Sequence, residues 1–192
     1  MGNTKERILD ITAELFTRYG YTGTGLKQIV ADANAPFGSV YHFFPGGKEQ
    51  LGDEVIRRSG QMYLELIEAV FDAAPDLLTG VGDVFSGAAE VLRQTDYADA
   101  CPIATVALEV ASSNERLRQA TDDVFVSWIY RTSSRIDVAG TDPAAARRLA
   151  IVLIEMLEGA FILSRAMRTT EPLDAAGAGA AALVQAGLSA RA

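Results

Sequence analysis

Residues 24–51 read TGLKQIVADANAPFGSVYHFFPGGKEQL, and this stretch decides the fold. Leu26, Ile29, Val30 and Ala33 recur at helical spacing, which predicts a helix of about two turns over Leu26 to Ala33. Thr24 is placed to cap its start. Asn34 follows as a left-handed cap, since Asn tolerates that backbone best after glycine. Pro36 then suits the first turn of a new helix, where its missing N–H has no partner to lose. That second helix is expected to run to Phe44, where Pro45-Gly46-Gly47 stops it. Two short helices joined by so tight a turn suit a helix-turn-helix.

The pattern extends outward on both sides. A first helix is expected to start at Asn3, with Glu6 completing a capping box. Ile8, Ile11, Leu15, Phe16 and Tyr19 form one apolar face. Gly20 ends it, and Tyr21 folds back onto the last turn. A long helix is expected from Lys48 to Ala74, with Val55, Met62, Leu66, Val70 and Phe71 in its apolar stripe. Pro75 breaks it. Further helices are expected at 77–95, 102–112, 114–138, 143–168 and 174–189, separated by Cys101-Pro102, Ser113-Asn114, Gly140-Thr141-Asp142-Pro143 and Glu171-Pro172. No run alternates with period two and no internal repeat occurs, so the expected fold is all-α with about nine helices. The expected division is a helix-turn-helix domain at 1–47 and a larger helical bundle at 48–192.

Composition narrows the function classes. The chain has 192 residues, 49% hydrophobic and 22% charged, with one cysteine and one histidine. Cys101 cannot form an intrachain disulfide, and His42 cannot belong to a multi-His metal centre within one chain. No catalytic constellation, metal site or cofactor is expected. The Gly177–Ala182 run imitates a dinucleotide fingerprint, but no strand precedes it. Leu149 to Leu163 is apolar yet carries Glu155 and Glu158, too short and charged to span a bilayer. No signal peptide heads the chain, so a cytoplasmic protein without membrane contact is expected. The net charge is −8. Residues 1–60 carry seven basic and seven acidic side chains, so the whole excess lies beyond them.

That asymmetry leaves the first segment free to approach a polyanion. In a helix-turn-helix the second helix enters the major groove with its N-terminal residues on base edges. Here that helix is Pro36 to Phe44, presenting Phe37, Ser39, Tyr41 and His42. Phe37 and Val40 suit a thymine methyl; Ser39, Tyr41 and His42 suit bases or phosphates. Lys48 adds a positive charge at the start of the next helix, whose free N–H groups also favour phosphate.

The residues Gly20-Tyr21, Thr24, Lys27-Gln28-Ile29-Val30, Phe37 to Phe44 and Gly47 to Leu51 together resemble the DNA-binding domain of TetR-type transcriptional regulators. The resemblance covers residues 5–52. It implies an all-α homodimer that binds a palindromic double-stranded DNA operator, and a C-terminal domain whose small-molecule effector releases the DNA. It further implies phosphate contacts from Thr24, Tyr41, His42 and Lys48, and base contacts from Lys27, Gln28, Phe37 and Ser39. Phe37 stands where the family often has Lys or Arg, Gly25 where a second Thr is frequent, and one extra residue separates Phe44 from Lys48. These departures bear on the operator sequence. The run Phe44 to Leu51, with Cys101-Pro102-Ile103-Ala104 and Val106-Ala107-Leu108-Glu109, is similar to the LmrA/YxaF-type branch, which implies a planar or lipophilic effector.

Candidate effector contacts are Tyr63, Phe71, Phe85, Cys101, Glu109, Phe125, Trp128 and Phe161. The aromatics suit either a pocket between bundle helices or ordinary core, and the acids either a polar ligand or a surface Arg. Helices 143–168 and 174–189 suit pairing across a two-fold axis as a four-helix bundle, with Gly159, Ala160, Gly177, Ala178, Gly179, Ala181 and Ala182 permitting close approach. A helical protein-interaction module that does not bind DNA is the alternative reading.

Overall fold

The computed structural model describes residues 4–138 and 142–189. The expected cap at Asn3 and the turn residues Gly140 and Thr141 lie outside that range. Among the described residues there are nine helices and no strand: α1 (Thr4–Tyr19), α2 (Leu26–Asp32), α3 (Gly38–Phe43), α4 (Gly47–Ala73), α5 (Leu77–Gln94), α6 (Pro102–Val110), α7 (Glu115–Val138), α8 (Pro143–Met167) and α9 (Glu171–Ser189). Their starts follow local chemistry. Asp76 accepts the Thr79 N–H at 2.9 Å, Asn114 the Leu117 N–H at 3.0 Å, and Asp142 the Ala145 N–H at 3.0 Å. Each cap satisfies a donor that the first turn leaves without a helical partner. Pro102 and Pro143 begin α6 and α8. The last helix starts earlier than expected, because Pro172 fits a first turn as readily as a break.

The chain packs as two compact units, Met1–Met62 with Cys101–Val124, and Tyr63–Ala100 with Phe125–Ala192. This differs from a single boundary after residue 47: α6 and the first part of α7 join the N-terminal helices. In this first unit α1 packs on α2, α3 and α6. Ile8, Leu15, Phe16, Ile29, Val40, Phe44, Leu51, Ile103, Val106 and Leu117 are buried. Gly60 lies so close to Val124 that a Cβ there would come within 2.5 Å of it. Asp53 joins the two long helices, accepting from Arg57 at 2.7 Å and from Arg116 at 2.9 Å.

In the second unit α9 packs along both α5 and α8. The core comprises Val81, Phe85, Leu92, Ile136, Ala146, Ala150, Leu153, Ala160, Leu173, Ala180 and Val184, with Phe71, Ile129, Leu157 and Phe161 packed on it. Several small residues expected at a two-fold contact are spent inside the chain instead. Gly177 backs onto Phe85, Gly179 onto Met156, and Ala160 is buried. Gly159 has open space beside it, and Ala178 and Ala182 are exposed.

Three expected core positions are exposed: Tyr19, Met62 and Leu66. Tyr21 takes the place against Phe16, with ring centroids 5.7 Å apart, and leaves Tyr19 to solvent. Helix α4 leaves the first unit after Met62, so its buried side passes from Val55 and Ile56 to Leu64. Among the described residues no helix is long and apolar enough to cross a membrane.

Glycine substitution tests this packing with opposite signs. Gly87, inside α5, has nothing within 4 Å of a Cβ, whereas at Gly177 a Cβ would lie 2.9 Å from the Phe85 Cβ. Gly87→Ala is expected to stabilise by about 0.5–1 kcal/mol through backbone entropy, and Gly177→Ala to destabilise by about 1–3 kcal/mol through overpacking. Urea denaturation of both variants reads the two signs.

Candidate nucleic-acid interface

The stop of α2 and the start of α3 are built from six residues. The Ala35 N–H donates to Val30 O at 2.9 Å and the Asn34 N–H to Ala31 O at 3.1 Å. This pair is the Schellman pattern, with Asn34 in the expected left-handed position at φ 46°. Arg7 of α1 donates from Nε to the Ala33 carbonyl at 3.1 Å and from a terminal nitrogen to Asn34 O at 3.4 Å. A cation there satisfies carbonyls at the negative end of α2. Pro36 precedes α3, its carbonyl accepting the Ser39 N–H at 2.9 Å, and Phe37 is the N-cap.

Six residues cannot hold a helix by hydrogen bonding alone. Val40 and the following Phe44 anchor α3, both wholly buried. Val40 is therefore core, and its expected contact with a base is corrected: one turn of α3 cannot face inward and outward at once. The opposite face carries Phe37, 46% exposed, and Tyr41, 52% exposed, with ring centroids 6.1 Å apart. Pro36 and His42 are exposed too, and Ser39 is half-buried. The His42 ring stands edge-on to Phe43 at 4.8 Å. Lys27 and Gln28 are exposed on α2. Helix α3 itself bears no Lys or Arg.

Two expected phosphate contacts bond within the unit. Thr24 is wholly buried, and its hydroxyl donates to the Gly20 carbonyl at 2.7 Å. It does not cap α2, whose N-cap is Gly25 without a side-chain bond. Its hydroxyl ties the turn before α2 and is not presented to solvent. Lys48 is half-buried. Its Nζ donates to Tyr21 O at 2.6 Å and lies 4.2 Å from the Tyr21 ring centroid. Burial lowers the Lys48 pKa from its ordinary value, and the charge of Glu109 opposes part of that shift. At the start of α4 the Gly46 N–H is taken by Gln50 Oε1 at 2.9 Å. Arg7 and Glu109 were not foreseen in this unit, because their partners lie far away in sequence.

A solvent-facing α3 on a fixed helix pair is the arrangement that enters a DNA groove. The model of the bacterial regulatory proteins of the tetR family matches residues 8–55. That of the LmrA/YxaF-like transcriptional regulator C-terminal domain matches residues 78–179. Among relatives, the uncharacterized HTH-type transcriptional regulator YxaF of Bacillus subtilis is 33% identical over 172 residues, covering 90% of each chain. The HTH-type transcriptional regulator LmrA of the same organism is 30% identical, covering 90% of this chain and 92% of its own. The chain belongs to the TetR family. A TetR regulator structure from Legionella pneumophila shares the fold at TM-score 0.82 and 21% identity, covering 94% of this chain and 96% of that one. This TetR-family member is a DNA-binding transcriptional regulator, not an enzyme.

The candidate effector residues of the regulator do not form one group. Phe71 and Phe85 line an apolar cleft in the second unit, with Ile67, Val81, Val84, Thr132, Leu153, Ile154 and Leu157. Its volume is about 50 Å³. Phe161 packs on the core instead, and Phe125 stands edge-on to Trp128 at 5.7 Å. Tyr63 is half-buried on α4 and does not line this cleft. Cys101 and Glu109 belong to the first unit. Cys101 caps α6, its sulfur accepting the Ala104 N–H at 3.5 Å. The Glu109 carboxylate accepts the Thr22 N–H at 2.6 Å.

The tight turn has its own test. Asn34→Ala puts an ordinary side chain in the left-handed region and is expected to cost about 1 kcal/mol. Asn34→Gly is expected to retain wild-type stability, as read by urea denaturation.

Proposed function

We propose that the protein is a ligand-responsive repressor that binds a palindromic operator as a homodimer and leaves it when a small lipophilic effector binds the second unit. The observation that carries this reading is the exposed Phe37–Tyr41 face on a helix whose other face is wholly buried. In it, Phe37 and Ser39 meet base edges together with Lys27 and Gln28 of α2, while Tyr41, His42 and Lys48 approach phosphates. With no cation on α3, apolar contact by Phe37 carries much of the selectivity, and the methyl group of thymine is its natural target.

Support for the dimer comes from the outer side of α8 and α9. Val152, Ile162, Leu163 and Leu183 are exposed there, next to the small residues Gly159, Ala178 and Ala182. Such a face suits a second copy related by a two-fold axis. Half-sites then lie about 34–36 Å apart, one turn of B-DNA. Support for the effector comes from the apolar cleft. At about 50 Å³ it has room for a few waters, so a larger ligand selects a widened state. Ile67 and Phe71 of the lining sit on α4, the same helix whose first turn carries Lys48. An effector that binds the widened state tenfold better shifts the equilibrium by about 1.4 kcal/mol. A cytoplasmic location follows from this reading.

Fluorescence anisotropy on duplexes from the gene's own upstream region tests it. Selective, salt-sensitive binding at two protomers per duplex is expected; equal weak binding to a scrambled duplex contradicts the reading. Tyr41→Ala should weaken binding to all duplexes alike, by about 1 kcal/mol for one lost hydrogen bond. Replacing a contacted thymine by uracil should cost about fourfold, the worth of one methyl at about 0.8 kcal/mol. In Phe37→Ala that difference should vanish.

A further inference from the structure

The turn between α1 and α2, residues 20–25, is held by side chains from three places in the chain. Thr24 bonds within it to the Gly20 carbonyl. Lys48, on α4, grips the Tyr21 carbonyl at 2.6 Å. Glu109, on α6, accepts the Thr22 N–H at 2.6 Å. The carboxylate also occupies the space a side chain at position 20 would need: a Cβ there would lie 1.7 Å from Glu109 Oε1. Gly20 has φ +69°, so both its backbone and its neighbour demand glycine. This turn sets the start of α2, and with it Lys27 and Gln28.

A carboxylate in a DNA-binding unit repels phosphate, and its removal by that effect alone strengthens binding. The geometry points the other way. We propose that Glu109 is a positioning residue for operator binding: it touches no DNA, and it holds the α1–α2 turn in the conformation that presents α2 and Lys48 to the duplex. The proposal rests on the operator-binding reading above. A charge-assisted bond to a backbone N–H is stronger and more directional than a neutral one, which suits an irregular turn that has no ladder of its own.

The test compares wild type, Glu109→Ala and Glu109→Gln on the same operator duplex, with amide hydrogen exchange on each free protein. Glu109→Ala should bind about tenfold more weakly, equivalent to about 1.4 kcal/mol. Its Thr22 amide should exchange faster while the amides of α9 keep their wild-type protection. Glu109→Gln, which retains the acceptor oxygen without the charge, should recover most of the affinity. Equal or tighter binding by Glu109→Ala overturns the proposal, leaving only a repelling charge. Faster exchange throughout α9 as well overturns it too, since Glu109 then acts on global stability. A wild-type protein that binds no duplex overturns the operator reading itself; the Thr22 amide still decides the tether, which fails if its exchange is unchanged in Glu109→Ala.

Discussion

Val40 and Phe44 are the contacts on which the outward face of α3 depends. They lie one turn apart, both wholly buried, at the inner face and the end of a helix of six residues. A helix so short has no stability of its own. Apolar burial at these two positions therefore sets which residues of α3 face outward. Once Val40 points in, Phe37 and Tyr41 point to solvent, their rings tilted against each other. The surrounding turns then fix where the outward face sits. Asn34 in the left-handed region and Arg7 on the Ala33 carbonyl hold the approach to α3. Pro45-Gly46-Gly47 ends it, with Gly47 at φ +64° beginning α4.

Much of this was legible in the chain, because it rests on short-range rules. The period of Leu26, Ile29, Val30 and Ala33, the left-handed Asn34 and Gly20, and the stop at Pro45 each involve residues within about one turn of one another. The resemblance of residues 5–52 to TetR-type regulators added the family and the fold. What stayed hidden involves partners distant in sequence. Glu109 meets Thr22 across 87 residues, Lys48 meets Tyr21 across 27, and Arg7 meets Ala33 across 26. No periodicity marks such pairs. Glu109 on an apolar helix suits a pocket or a surface Arg alike for that reason. Thr24 was misread for a related one: a Thr before a helix suits a cap, yet its hydroxyl found the Gly20 carbonyl.

The second unit shows the same limit in another form. Aromatic residues on long helices announce burial, not what they bury against. Phe71 and Phe85 share a cleft, whereas Phe161 and Trp128 pack elsewhere. Small residues on α9 announce close packing, and part of that packing lies inside the chain, where Gly177 meets Phe85. Periodicity ranks faces by hydrophobicity and is silent on whether a face meets its own chain or another. The division into units is equally invisible locally, since α4 and α7 each contribute to both without a break in their helical pattern.

The central claim is that the outward face of α3 is what meets DNA. Hydrogen–deuterium exchange of the full chain, with and without an operator duplex selected from genomic fragments, tests it most directly. The account predicts new protection at residues 36–48 and at 26–28, absent with a scrambled duplex of equal length. Protection confined to residues 143–189, or none on α3 under conditions where the duplex is bound, would contradict it.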